Sequence, residues 1–183
     1  ENCLSIVDVT HPEKPVVLNQ LPSPAPGITR CDELGLSGNV LVMANTIRDF
    51  GNAGAVSHVV PEEVRKKGMA GMWVLDVSDL ERVKQAKTLK DIAFSFFDTS
   101  GPHSVGVHAL WFIDGQFAHL TTASRDSDPI VTADDQFYMI VDLRDPKNPH
   151  EVGRWWLPGT QKSDACLPGC KPKRLAPPHD SGF

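Results

Sequence analysis

Three stretches of the chain share one pattern of apolar and polar positions: Leu4-Ser5-Ile6-Val7-Asp8-Val9, Met72-Trp73-Val74-Leu75-Asp76-Val77 and Tyr138-Met139-Ile140-Val141-Asp142-Leu143. Each is an apolar run ending in Asp and one more aliphatic residue. A turn follows each: Thr10-His11-Pro12, Ser78-Asp79-Leu80 and Arg144-Asp145-Pro146. The aspartates lie 68 and 66 residues apart (76 − 8 and 142 − 76). Shared spacing with shared turn chemistry marks an internal repeat, the sequence feature that most constrains a fold. Beyond each turn lies a less hydrophobic stretch, Pro15-Val16-Val17-Leu18, Arg82-Val83-Lys84-Gln85 and His150-Glu151-Val152-Gly153-Arg154-Trp155. Half-alternating segments of this kind suit an outer strand that faces water on one side.

Hairpins precede the second and third units. Leu34-Gly35-Leu36 and Val40-Leu41-Val42-Met43-Ala44 flank a Ser37-Gly38-Asn39 turn. Val107-His108-Ala109-Leu110-Trp111-Phe112 and Phe117-Ala118-His119-Leu120-Thr121 flank Asp114-Gly115, a strong hairpin signal between apolar runs. The pattern therefore predicts an all-β chain: a β-propeller with four-stranded antiparallel blades and long loop insertions, covering about two and a half blades. The unit boundaries fall near 1–30, 31–90 and 103–158 of a single partial domain spanning 1–183. A unit of this length exceeds the roughly 40–45 residues of a WD40 blade, so long insertions are required. They are expected at 48–71 and 159–178. The first contains Pro61-Glu62-Glu63-Val64-Arg65-Lys66-Lys67, a short helix by its leading proline and its acids before bases.

The units Ile6-Val7-Asp8, Val74-Leu75-Asp76 and Ile140-Val141-Asp142, with Asp-Pro in the third turn, resemble the LVIVD-repeat family of β-propeller proteins. The resemblance covers most of the chain and implies architecture more than activity; a family of cell-surface and secreted proteins implies a role outside the cytoplasm. Propellers close with four to eight blades, which protects their strand edges. An incomplete ring would leave an apolar blade face and a strand edge in water. The expected partners are thus the remaining blades, from missing chain or from other subunits. The first residues read as the middle of a strand, as expected of a processed chain or a piece of a longer one.

Composition agrees with many short strands joined by turns: 15 prolines and 14 glycines. A net charge of −5 with no basic stripe argues against a nucleic-acid partner. No run of 18 apolar residues offers a membrane span. Cys166 and Cys170, in Cys-Leu-Pro-Gly-Cys, are candidates for a small disulfide, which would place the protein in the periplasm or outside the cell; two free thiols are the alternative.

The candidate chemistry lies in the histidines. Pro102-His103-Ser104-Val105-Gly106 and Pro178-His179-Asp180-Ser181-Gly182 share the pattern Pro-His-x-x-Gly, 76 residues apart (179 − 103), each ahead of a unit's first strand. In a propeller those strands line the central channel, so their leading loops converge at one mouth. His103, His108 and His179 become candidate ligands for one transition metal, iron, copper or zinc, since neutral imidazole is the commonest metal ligand. In the first unit Cys31 or Asp32 stands where the histidine would be. Asp180 and Asp32 are candidates for a general base or for orienting a ligand. Structural turns with imidazole bonded to a neighbouring carbonyl are the competing explanation.

Two functions follow. One is a metal-dependent enzyme with a histidine-lined site at the channel mouth, acting on a small organic substrate against apolar runs such as Ile92-Ala93-Phe94-Ser95-Phe96-Phe97. Oxidoreductase, lyase and hydrolase chemistry fit it equally. The other is an extracellular binding or scaffold propeller without catalysis. His119, in a Phe117-x-His119-x-Thr121 row, is expected at a core or interface position. The Asp126-Ser127-Asp128 loop is expected to be solvated, because its spacing departs from an EF-hand. No phosphate loop, nucleophile elbow or Cys-x-x-Cys pair is present.

Overall fold

The computed structural model describes residues 2–47, 62–67, 69–124, 126–129 and 137–164. Strands β1 (Asn2–Asp8) and β2 (Val16–Pro22) form a hairpin. Strands β3 (Thr29–Ser37), β4 (Val40–Ile47), β5 (Gly71–Asp76) and β6 (Ala93–Asp98) form an antiparallel sheet in chain order. Strands β7 (Ala109–Trp111), β8 (Phe117–Thr122), β9 (Phe137–Asp142) and β10 (His150–Trp155) form a second. Helix α1 (Glu62–Lys67) stands where the leading proline predicts one, with a Lys66–Glu62 ion pair at i,i+4. The architecture is all-β and antiparallel, as the apolar pattern predicts.

The repeated aspartates have a local cause. Asp8, Asp76 and Asp142 each end a strand and accept the backbone N–H two residues on: Thr10 at 2.9 Å, Ser78 at 3.0 Å and Arg144 at 2.9 Å. This Asx turn satisfies a donor as the chain leaves the ladder, and only a short polar side chain reaches it. The three carboxyls are accordingly held below their usual range. At Asp8 the Thr10 hydroxyl and N–H do this. At Asp76 burial opposes ionisation, and the bonds from Ser78 and Arg82 outweigh it. At Asp142 the Arg144 guanidinium, then its N–H, lower the value to about 2.

The three Asp-ending strands also hold matching places. β5 and β9 are third in their sheets, and β1 pairs with a following strand as they do. The residues two and four before Asp8 and Asp76 face the next sheet along the chain. Leu4 and Ile6 pack toward the β3–β6 sheet, in one core with Met43, Trp73, Leu75 and Leu21. Met72 and Val74 pack toward the β7–β10 sheet, in a second core with Val42, Leu120, Met139 and Val141. The middle sheet is covered on both faces, so β4 and β5 are buried almost without interruption and lose the polar half of a strand's alternation.

One strand falls elsewhere than predicted. The stretch Arg82-Val83-Lys84-Gln85 belongs to helix α2 (Leu80–Gln85), not to an outer strand. Asp79 caps it, accepting the N–H groups of Glu81 at 3.0 Å and Arg82 at 3.1 Å, and Val83 is its buried contact. The edge position of that sheet, next to β5, is taken by β6 instead. Cys3 on β1 and Cys31 on β3 form a disulfide with Cα atoms 5.3 Å apart, tying the hairpin to the middle sheet. Cys166 and Cys170 lie outside the described residues.

Candidate functional site

The edge strands β3 and β7 are each preceded by a loop, and a belt of buried polar side chains lines that end of the two sheets. Thr29, Asn45, Thr46, Thr99, Ser104 and Thr122 are all buried there. Buried hydroxyls and amides require partners, and these join the sheets. Thr46 at the end of β4 bridges Gly106 ahead of β7, and Ile47 donates its N–H to the Val105 carbonyl at 2.7 Å. The Thr122 hydroxyl donates to the Gly106 carbonyl at 3.1 Å. Ser104 receives the Gly106 N–H at 3.3 Å and reaches the Thr99 hydroxyl at 3.4 Å. Asn45 donates its side-chain amide to the Met69 carbonyl.

Gly106 makes this junction possible. Its φ is 106°, and a Cβ there would stand 2.2 Å from the Asn45 carbonyl oxygen. Only glycine combines that conformation with that approach. The glycine of Pro-His-x-x-Gly thus has a packing reason that holds with or without a ligand at His103.

His103 sits in a tight turn in which the Ser104 N–H donates to the Gly101 carbonyl at 3.2 Å. The residue is half-buried. Its Nδ1 is fully buried with no hydrogen-bond partner among the described residues. His108 extends the ladder through its main chain, donating to the Thr121 carbonyl at 2.9 Å, while its side chain is exposed. Asp32 lies on β3, its carboxylate 2.9 Å from Arg30 Nε and accepting the Thr46 hydroxyl. Because Thr46 also bridges Gly106, Asp32 is connected to the loop that carries His103. His179 and Asp180 fall outside the described residues. Among the described residues no three His, Cys, Asp or Glu side chains gather in metal-binding proximity.

Two expectations need correction. Cys31 cannot serve as a thiolate ligand, because its sulfur is bonded to Cys3. The run 92–97 is not an open apolar surface for a substrate: Ile92 is buried, Phe96 packs on Trp73 at 4.9 Å between ring centroids, and Phe94 and Phe97 enter the core between the sheets. The acidic loop keeps both carboxylates exposed, as expected of a solvated loop, with Asp126 paired to Arg154 at 3.0 Å and Asp128 to Lys162 at 2.6 Å, while Ser127 is buried. His119 lies on the outer face of the last sheet, its Nδ1 2.5 Å from the Tyr138 hydroxyl. Of the adjacent tryptophans, Trp155 is exposed, while Trp156 packs edge-on to Phe137 and donates to Asp164 at 2.9 Å.

The polar belt is the feature that apolar periodicity does not show. Its sequence trace is a polar residue following the buried run of an otherwise apolar strand, Asn45-Thr46 on β4 and Thr121-Thr122 on β8. No family model matches the chain, and neither a curated protein nor a solved structure matches it.

Proposed function

We propose that this chain is a section of a β-propeller of the LVIVD-repeat type, working as a binding or scaffold module in an oxidising compartment, periplasmic or extracellular. The observation that carries the reading is the identical setting of Asp8, Asp76 and Asp142. Each ends the next-to-last strand of its sheet in chain order, and Asp8 and Asp76 are preceded by residues turned toward the following sheet. Sheets stacked in one sense with their leading loops at one end are what a propeller requires, and further blades or subunits would complete the ring. The Cys3–Cys31 bond supports the compartment, because such bonds persist where thiols are not kept reduced. The loops at the belt end supply the binding surface, carried on a rigid support.

Two measurements test this. Electron-microscopic averages of the purified assembly should show sheets arranged about a central axis; a straight stack refutes the ring. Alkylation of freshly extracted protein should leave Cys3 and Cys31 unlabelled until reductant is added, and labelling beforehand refutes the compartment.

A second reading keeps a metal-dependent enzyme at the same end. The observation in its favour is the buried, unpartnered Nδ1 of His103, which a metal or a ligand hydrogen bond would satisfy. The rest of the candidate set speaks less for it: Asp32 is already engaged by Arg30 and Thr46, and the His108 side chain is exposed. Iron, copper or zinc near one equivalent in gently purified protein, lost in His103→Ala and His179→Ala, would establish this reading. Protein carrying no such metal would remove it.

A further inference from the structure

We infer that the Cys3–Cys31 bond is a redox-sensitive latch on the polar belt, acting through a bulge in β3, whatever the number of sheets in the assembly.

The register of β3 against β4 is broken at one place. Cys31 pairs with Asn45 and Leu34 with Met43, so Asp32 and Glu33 on β3 oppose the single residue Ala44 on β4. Two residues against one make a bulge, which interrupts the ladder and re-aims side chains. Both bulge carboxylates leave the strand for other elements. Asp32 accepts the Thr46 hydroxyl and pairs with Arg30 at 2.9 Å. Glu33 crosses to the last sheet, where it accepts the Leu110 N–H of β7 at 2.8 Å. Thr46 in turn bridges Gly106, and Ile47 donates to the Val105 carbonyl. Two consecutive residues of β3 thus hold the loop of His103, at Gly106 through Thr46 and at Leu110 directly.

Beyond the bulge β3 keeps only three ladder pairs, at Thr29, Arg30 and Cys31. A strand end so short opens at low free-energy cost unless it is tied down. The disulfide ties it, joining Cys31, the residue beside the bulge, to β1. The Cys31 sulfur also lies 3.5 Å from the side-chain oxygen of Asn45, which is fully buried in the belt and donates to the Met69 carbonyl. A disulfide sulfur carries no proton, whereas a thiol there does. Opening the bond therefore removes the covalent anchor of the bulge and sets a weak S–H donor against an oxygen of the belt. The step is a two-electron exchange with a dithiol: the sulfur–sulfur bond breaks, each cysteine sulfur gains one hydrogen, and the dithiol closes to its own disulfide. The hairpin stays seated, because Leu4, Leu21 and Asn19 hold it without the bond. The response falls on the loop 101–108, held shut while the bond is closed and opening more often once it is reduced.

Amide hydrogen exchange of the full chain, read by mass spectrometry with and without dithiothreitol, tests this. At labelling times over which β8 and β9 stay protected, reduction should speed exchange over 101–108 by at least about tenfold. The Cys3→Ser/Cys31→Ser variant should match the reduced wild type and respond no further to dithiothreitol, which assigns the effect to this bond. Asp32→Ala/Glu33→Ala, with the bond closed, should speed the same segment, which assigns the route to the bulge; circular dichroism verifies the folding of both variants. Unchanged exchange over 101–108 on reduction overturns the proposal, as does faster exchange confined to 2–22. So does acceleration that appears only together with that of β8 and β9, since the bond would then act through the unfolded chain alone. A bulge variant that leaves 101–108 protected overturns it too.

Discussion

Replacing both Cys3 and Cys31 by alanine measures how the hairpin is held. The bond closes a sequence separation of 28 residues. Loop closure over that length removes about 12 cal/mol/K from the unfolded chain, or about 3.6 kcal/mol at 25 °C. The remaining attachments are the burial of Leu4 and Leu21, roughly 1.5–3 kcal/mol each, and two bonds from the Asn19 amide to the Val83 and Ala86 carbonyls at 2.8 and 3.0 Å. Those contacts persist without the disulfide, so the double variant should fold with its hairpin in place. Its unfolding free energy should be lower by about 3–4 kcal/mol. Urea unfolding followed by tryptophan fluorescence is the assay, because Trp73 lies in the core that the hairpin covers. A loss below about 1 kcal/mol would refute the entropic reasoning, which requires several times that for a loop of this length.

Other substitutions probe the remaining joints. Gly106→Ala forces a Cβ against the Asn45 carbonyl at positive φ, and should cost about 2–4 kcal/mol in thermal or urea melts; a neutral effect would show that the loop is not seated as described. Leu21→Ala, fully buried between hairpin and middle sheet, should cost about 2–5 kcal/mol by the same measurement. The carboxyl of Asp142 lies near 2 in the fold against an ordinary 3.8. A depressed carboxylate contributes stability that is present above its unfolded pKa and is lost as pH falls through the folded one, here between about 4 and about 2. Arg144→Gln should raise the Asp142 pKa toward its ordinary value, so that the acid loss becomes smaller and ends at higher pH, and a pH dependence of the melts unchanged from wild type across this window would contradict the pairing.

The chain's own pattern was enough to locate the repeat, the all-β character and both internal hairpins. Those depend on local chemistry: an Asx turn needs Asp two residues before its donor, and Asp-Gly or Ser-Gly-Asn turns reverse a strand with nothing from elsewhere. Helix α2 was legible too, in the capping Asp79 ahead of Leu80-Glu81-Arg82, but the register of the repeat pointed to a strand there and concealed it. The site was less legible. Histidine recurrence points to the end of the sheets where His103 and the loop of Gly106 lie, while His179 falls outside the described residues. The buried belt of Asn45, Thr46, Ser104 and Thr122 escaped notice because single polar residues carry no period.

Tertiary structure alone decided the rest, since it depends on distances between residues far apart in the chain. Cys3 paired with Cys31 because the hairpin folds onto the middle sheet and brings β1 beside β3, which no spacing announces. Apolar residues at 92–97 became core rather than surface because the sheets stack against one another. Which strand faces are covered and which stay open, Trp155 against Phe97, is likewise a property of the stack. Composition states that a side chain is apolar, but only packing states what it is buried against.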